Sequence, residues 1–170
     1  MRISEMLLPE FDQEMTNTRN LLQRVPAGKA DYKPHDKSMT LGRVAGHIAE
    51  LPSFFTRIVD TEFVDLMSMM SEGYQPLVSS SADELVRTFD NNVKAAREAL
   101  MRASDEHLSQ VWSLKFGEKI VASAPKLQMI RSMCMNHIVH HRAQLGVYLR
   151  LNDIPLPAMY GPSADEGKSI

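Results

Sequence analysis

Six histidines hold most of the chemical potential of this 170-residue chain, and three of them fall at the spacing of metal ligands. At about 100° per residue, positions 127, 130, 134, 137, 141, 145 and 148 share one helix face and read Leu, Ile, Cys, His, His, Leu, Tyr. Two imidazoles therefore interrupt an apolar stripe. His137 and His141 are four apart, so their rings stand one turn apart and can reach a single ion. The same arithmetic puts His47 in the stripe of Val44, Leu51, Phe54 and Ile58, facing inward from another helix. Each buried imidazole has two nitrogens that need partners, and a divalent ion answers all three rings at once. Three neutral nitrogen ligands leave coordination positions open, as in a catalytic rather than a closed structural site. Zinc or nickel is expected ahead of iron or copper, although open nitrogen-rich sites accept all four.

The other candidates read more plainly. His140 lies about 100° from His141 on its helix, on the flank, where it can touch a ligand or substrate but not join the ion. His35 and His107 fall in expected loops and are read as solvent-exposed. Cys134 shares the inward stripe a turn before His137, where a free cysteine is read as core filling. Arg43 and Glu50 lie a turn to either side of His47; they could order a substrate or hold an imidazole tautomer, and a surface ion pair is the plain alternative. Met67, Met69 and Met70 could line an apolar entrance, or equally pack a crossover or a dimer contact.

The elements that must carry these residues are helices. Leu8, Phe11, Met15, Thr18, Leu22 and Val25 recur at steps of three and four, predicting a first helix over 5–25. Ser38 or Thr40 can cap a second helix over 41–60, in which Pro52 predicts a kink or break. Residues 61–80 follow no clean period and are expected to form a partly helical crossover. Ser81-Ala82-Asp83-Glu84 has the form of a capping box opening a third helix through Leu85, Phe89, Val93, Ala96 and Leu100. Alternation around Gly117 suggests a short hairpin, and a fourth helix is expected from Pro125 to Arg150. Four such stripes bury one another most simply as an all-α four-helix bundle with long crossovers, residues 1–160 forming one domain and 161–170 a tail.

Composition narrows the partners. A net charge of −2 offers no electrostatic footprint for nucleic acid or an anionic membrane. One cysteine forms no intrachain disulfide, and Glu5 arrives too early for a secretory signal, so a reduced cytoplasmic protein is expected.

The stretch from Met39 to Glu50, with Gly42-Arg43 and Gly46-His47, resembles the DinB/YfiT-like superfamily. So do the run His137-Ile138-Val139-His140-His141-Arg142-Ala143-Gln144 within Asn136 to Arg150, and Ile154-Pro155. Ala143 stands where many relatives have glycine, a change that leaves ligation intact. The resemblance implies a four-helix bundle, a homodimer, and a divalent ion held by His47, His137 and His141. It also implies a metal-dependent S-transferase in which a low-molecular-weight thiol attacks an electrophile. A non-catalytic or stress-related metal-binding protein is the competing expectation, and a metal-dependent hydrolase, for which no general base is evident, is the third.

Overall fold

Caps and prolines divide the chain much as its sequence predicts. In the computed structural model, which describes residues 2–166, the first helix α1 spans Ile3–Leu22. Thr40 opens α2 (Leu41–Glu50) by accepting a hydrogen bond from the Arg43 amide at 3.2 Å, which satisfies one of the free first-turn N–H groups. The helix breaks at Leu51-Pro52, because proline has no N–H to continue the ladder, and resumes as α3 (Ser53–Asp60). After β1 (Phe63–Asp65) and α4 (Leu66–Ser71) comes α5 (Ala82–Arg102), capped by Ser81. Only half of the expected capping box forms. The Ser81 hydroxyl accepts from the Glu84 amide, but the Glu84 carboxylate accepts from the Ser79 hydroxyl at 2.6 Å, and the Ser81 amide donates to Ser79 Oγ.

The fold is mostly helical but not all-α. A three-stranded sheet in the order β1-β2-β3 joins β1 to β2 (Val111–Phe116) in parallel, with Val64 beside Leu114. The sheet continues antiparallel into β3 (Lys119–Pro125), and Gly117-Glu118 makes the two-residue hairpin turn, Gly117 taking φ +60°. The hairpin matches expectation, and the partly helical crossover expected over 61–80 does contain a helix, α4, but also the strand β1, which was not expected. Its three residues pair because Trp112, fully buried on β2, donates its indole N–H to Thr61 Oγ1 at 3.1 Å. Asp65 adds a second tie, accepting from the amides of both Gly117 and Met67 at 2.9 Å. The short helix α6 (Asp105–Ser109) precedes the hairpin.

The last helical rod is α7 (Lys126–Met129), a π-helical stretch over Ile130–Met135, and α8 (Asn136–Arg150). The expected uninterrupted α-helix is thus widened just before His137, an irregularity that recurs near functional sites. α1, α2, α5 and α8 pack around one core in which Phe11 meets Phe55 edge-on at 5.1 Å. The chain beyond α8 lies against this core through Ile154, Leu156 and Met159. It is fastened by the Tyr160 hydroxyl, which donates to Glu14, and by the Arg150–Asp165 ion pair. Arg142, 1% exposed, donates from beneath to the backbone carbonyl and carboxylate of Glu14. Of the expected 161–170 tail, residues 167–170 lie outside the described residues. Among the described residues no helix is long and apolar enough to cross a membrane.

Candidate metal centre

α2 and the N-terminal half of α8 lie side by side and bring the three inward histidines together. One ring nitrogen from each of His47, His137 and His141 falls within 4.8 Å of the others. The ring centroids are 4.6 Å apart for His47 and His141 and 4.7 Å for His137 and His141. His141 is buried and the other two are half-buried.

The outer nitrogens fix what the inner ones can be. His141 Nδ1 lies 2.7 Å from the carbonyl oxygen of the Gln144 side chain, and His137 Nδ1 lies 3.3 Å from the Met133 carbonyl. Both oxygens only accept, so both Nδ1 atoms carry the proton, and each Nε2 is left with a bare lone pair. Those two Nε2 atoms face each other at 2.9 Å. Two lone pairs at that distance repel unless a cation lies between them, and an ion at the ~2.0–2.1 Å of imidazole ligation can touch both. The donor set therefore fits a divalent ion.

Burial keeps the imidazoles neutral. Desolvation holds the His137 and His141 pKa values below the ordinary imidazole range, the Met133 and Gln144 acceptors opposing it. His47 is pushed down to about 3, first by burial and then by the neighbouring charges of His141, Arg43 and His137. Neutral imidazole is the ligating form.

Arg43 and Glu50 are not a surface pair. They form a 3.0 Å ion pair with side chains 21% and 17% exposed, and the Arg43 guanidinium reaches to 3.4 Å from His47 Nδ1. Together they clamp the irregular segment 72–80 onto α2. Arg43 donates to the Leu77 carbonyl at 2.9 Å, and Glu50 accepts from the Leu77 amide at 2.9 Å. Gly46 makes the approach possible, since a Cβ there would lie 2.0 Å from the Leu77 carbonyl oxygen.

The clamped segment walls a cavity of about 290 Å³ that opens on His47, Arg43 and Glu50 and is otherwise lined by apolar side chains such as Phe54, Met69 and Tyr74. A second cavity of about 180 Å³ is lined by His47, Leu114, Met133 and His137. Met69 and Met70 line the first cavity as one of the two expectations had it. Met67 instead projects outward beside Gly117.

Other expected positions settle elsewhere. His140 is exposed, its ring 4.8 Å from that of His141. Cys134 is fully buried outside the cluster, and burial pushes its thiol pKa up. His35 is exposed, its Nδ1 accepting from the Lys37 amide. His107 departs from the expectation of an exposed loop residue: it sits on α6, half-buried, with Nε2 2.6 Å from the Val59 carbonyl. Gln144 escaped the sequence reading although it stands three residues after His141 on the same side of the helix, the signal that could have found it.

Residues 2–168 match the DinB family. The chain belongs to the DinB family. It is 24% identical over 159 residues to the uncharacterized protein YrdA of Bacillus subtilis, covering 94% of this chain and 89% of that protein. A DinB-like protein from Bacillus cereus shares its fold with a TM-score of 0.71 at 23% identity, over 92% of this chain and 97% of that one. The DinB-like protein YjoA of Bacillus subtilis superposes with a TM-score of 0.65 at 16% identity, over 87% and 92% of the two chains. For the DinB fold seen here, these likenesses extend from α1 through the histidine-bearing rod.

Proposed function

We propose that this DinB family member binds one divalent ion, zinc or nickel, through His47, His137 and His141, and acts as a metal-dependent S-transferase joining a low-molecular-weight thiol to an electrophile. The observation that carries the reading is the convergence of the three imidazoles, with the Nε2 atoms of His137 and His141 2.9 Å apart, beside an apolar cavity. An ion in such a centre lowers the pKa of a bound thiol so that it attacks as thiolate.

The chain's own residues supply the rest. Gln144 and the Met133 carbonyl hold two imidazoles in the ligating tautomer, and the Arg43 guanidinium, which only donates, lies 3.4 Å from Nδ1 of the third. Phe54, Leu66 and Met69 exclude water from the reacting carbon. Transfer forms a carbon–sulfur bond as the thiol proton and the leaving group depart to solvent. Glu50 takes no part as a base, since it has one oxygen on Arg43 and the other on the Leu77 amide. On this reading α1, α2–α3, α5 and the α7–α8 rod are the members of a four-helix bundle, and the protein works in the cytoplasm as a homodimer.

Two measurements test the proposal. Elemental analysis of protein purified without added chelator should return one zinc or nickel per chain. Incubation of the loaded protein with a panel of thiols and electrophiles should yield conjugates by mass spectrometry. Metal without any conjugate would favour the non-catalytic metal-binding reading.

A further inference from the structure

The two cavities beside the histidines have a chemical character that narrows what can enter them. Both lie against the same side chains, His47, Leu51, Phe54 and Leu66, so the two cavities are neighbours on either side of a shared wall that includes the His47 imidazole. Their walls are hydrocarbon and thioether apart from Arg43, Glu50, the Tyr74 phenol and the imidazoles.

The two charges at the rim of the larger cavity are answered by each other. Glu50 Oε2 accepts from Arg43 and Oε1 from the Leu77 amide, while Arg43 Nη1 is shared between Glu50 and the Leu77 carbonyl. An anionic or cationic ligand group would have to break this clamp to find a counter-charge, leaving a half-buried charge unpaired. A neutral apolar group meets no such cost and gains from each methylene it removes from water. The volumes, about 290 and 180 Å³, lie below the ~300–1,000 Å³ typical of drug-sized sites and suit a small molecule.

We infer that the cavity formed by Leu51, Phe54, Leu66, Met69 and Tyr74 beside His47 binds a small, uncharged, largely apolar molecule, with the Arg43–Glu50 clamp as the device that rejects charged ones. This rests on the proposed function in making that molecule the electrophile, but the binding itself requires no ion. Met69 and Leu66 are the residues that set its specificity.

The experiment is calorimetric titration of chelator-treated, metal-free protein with straight-chain alcohols of four to eight carbons, and with the carboxylates and ammonium ions of the same lengths. Alcohol affinity should rise about fourfold per methylene until the cleft is full, the equivalent of ~0.8 kcal/mol for each buried CH₂, and the charged series should bind at least tenfold more weakly. Affinity that does not change with chain length, or charged congeners binding as tightly as the alcohols, would overturn the inference. Met69→Gln and Leu66→Gln, both at half-buried positions, should each weaken the alcohols about tenfold while leaving metal content unchanged. Alcohol binding untouched by both variants would place the ligand elsewhere and also overturn it. Chain-length dependence in a protein that takes up no zinc or nickel would support this inference while removing the metal reading.

Discussion

Two regions along the α7–α8 rod set histidine nitrogens against polar neighbours, His107 of α6 at one and His137 and His141 at the other, and they do so in different ways. At the N-terminal end, Lys126, 2% exposed, donates to the carbonyls of Val59 and Thr61 at 2.8 Å each, and His107 Nε2 points at the same Val59 carbonyl. The polar atoms there face acceptors that the fold itself supplies. Farther along, His137 and His141 turn only their outer nitrogens to such acceptors and aim the inner ones at each other. The first arrangement has backbone acceptors within the protein, with Lys126 Nζ also 3.2 Å from His107 Nε2; the second sets two ring nitrogens face to face, a pair that a cation would complete. A buried histidine is thus diagnosed less by its depth than by whether both ring nitrogens have found partners of the opposite kind.

The contrast can be broken most directly at the centre. His141→Ala should remove most of the bound metal while the protein stays folded, and His140→Ala should retain it, as read by elemental analysis after dialysis. Equal loss in both variants would undo the distinction between the inward ring and its exposed neighbour. Next in size, Gln144→Leu deprives His141 Nδ1 of its acceptor and should lower metal affinity by about 10–100-fold in a competition titration against a chelator. Unchanged affinity would mean that packing alone orients the ring. The smallest effect is expected at the other end of the rod. Lys126→Met orphans the Thr61 carbonyl but leaves Val59 served by His107, so the cost should be about 1 kcal/mol in denaturant unfolding, near the low end for an unpaired buried acceptor. Its metal content should not change, and a loss of metal would show that the two regions are not separate.

How much of this was legible in the sequence depends on the range of the interactions. Thr40 and Ser81 announced their helices because a cap is a contact between near neighbours, and Pro52 announced its break because the missing N–H is its own property. The inward face of His47, His137 and His141 was legible because the helical period alone orders it. β1 was not, since three residues are too few to display alternation and its partner lies some fifty positions away, at Leu114. The π-helical stretch was hidden for a different reason: Ile130, Cys134 and Met135 are buried, and an apolar run satisfies a widened turn as readily as an ordinary one. His107 was misread because the Val59 carbonyl that holds it comes from another element. The histidine cluster, the apolar cavity and the clamp that walls it were legible in that same order of decreasing locality.

The contact between Gly46 and Leu77 has a mechanical meaning. With the Leu77 carbonyl lodged where a side chain on Gly46 would stand, and with Arg43 holding the C=O and Glu50 the N–H of that residue, α2 and the segment crossing it are fastened together at Leu77. Pressure on the cleft wall is therefore not absorbed by a yielding loop. It is delivered as a small displacement of the helix one residue from His47, so that the shape of whatever occupies the cleft is transmitted to the angle of the imidazole.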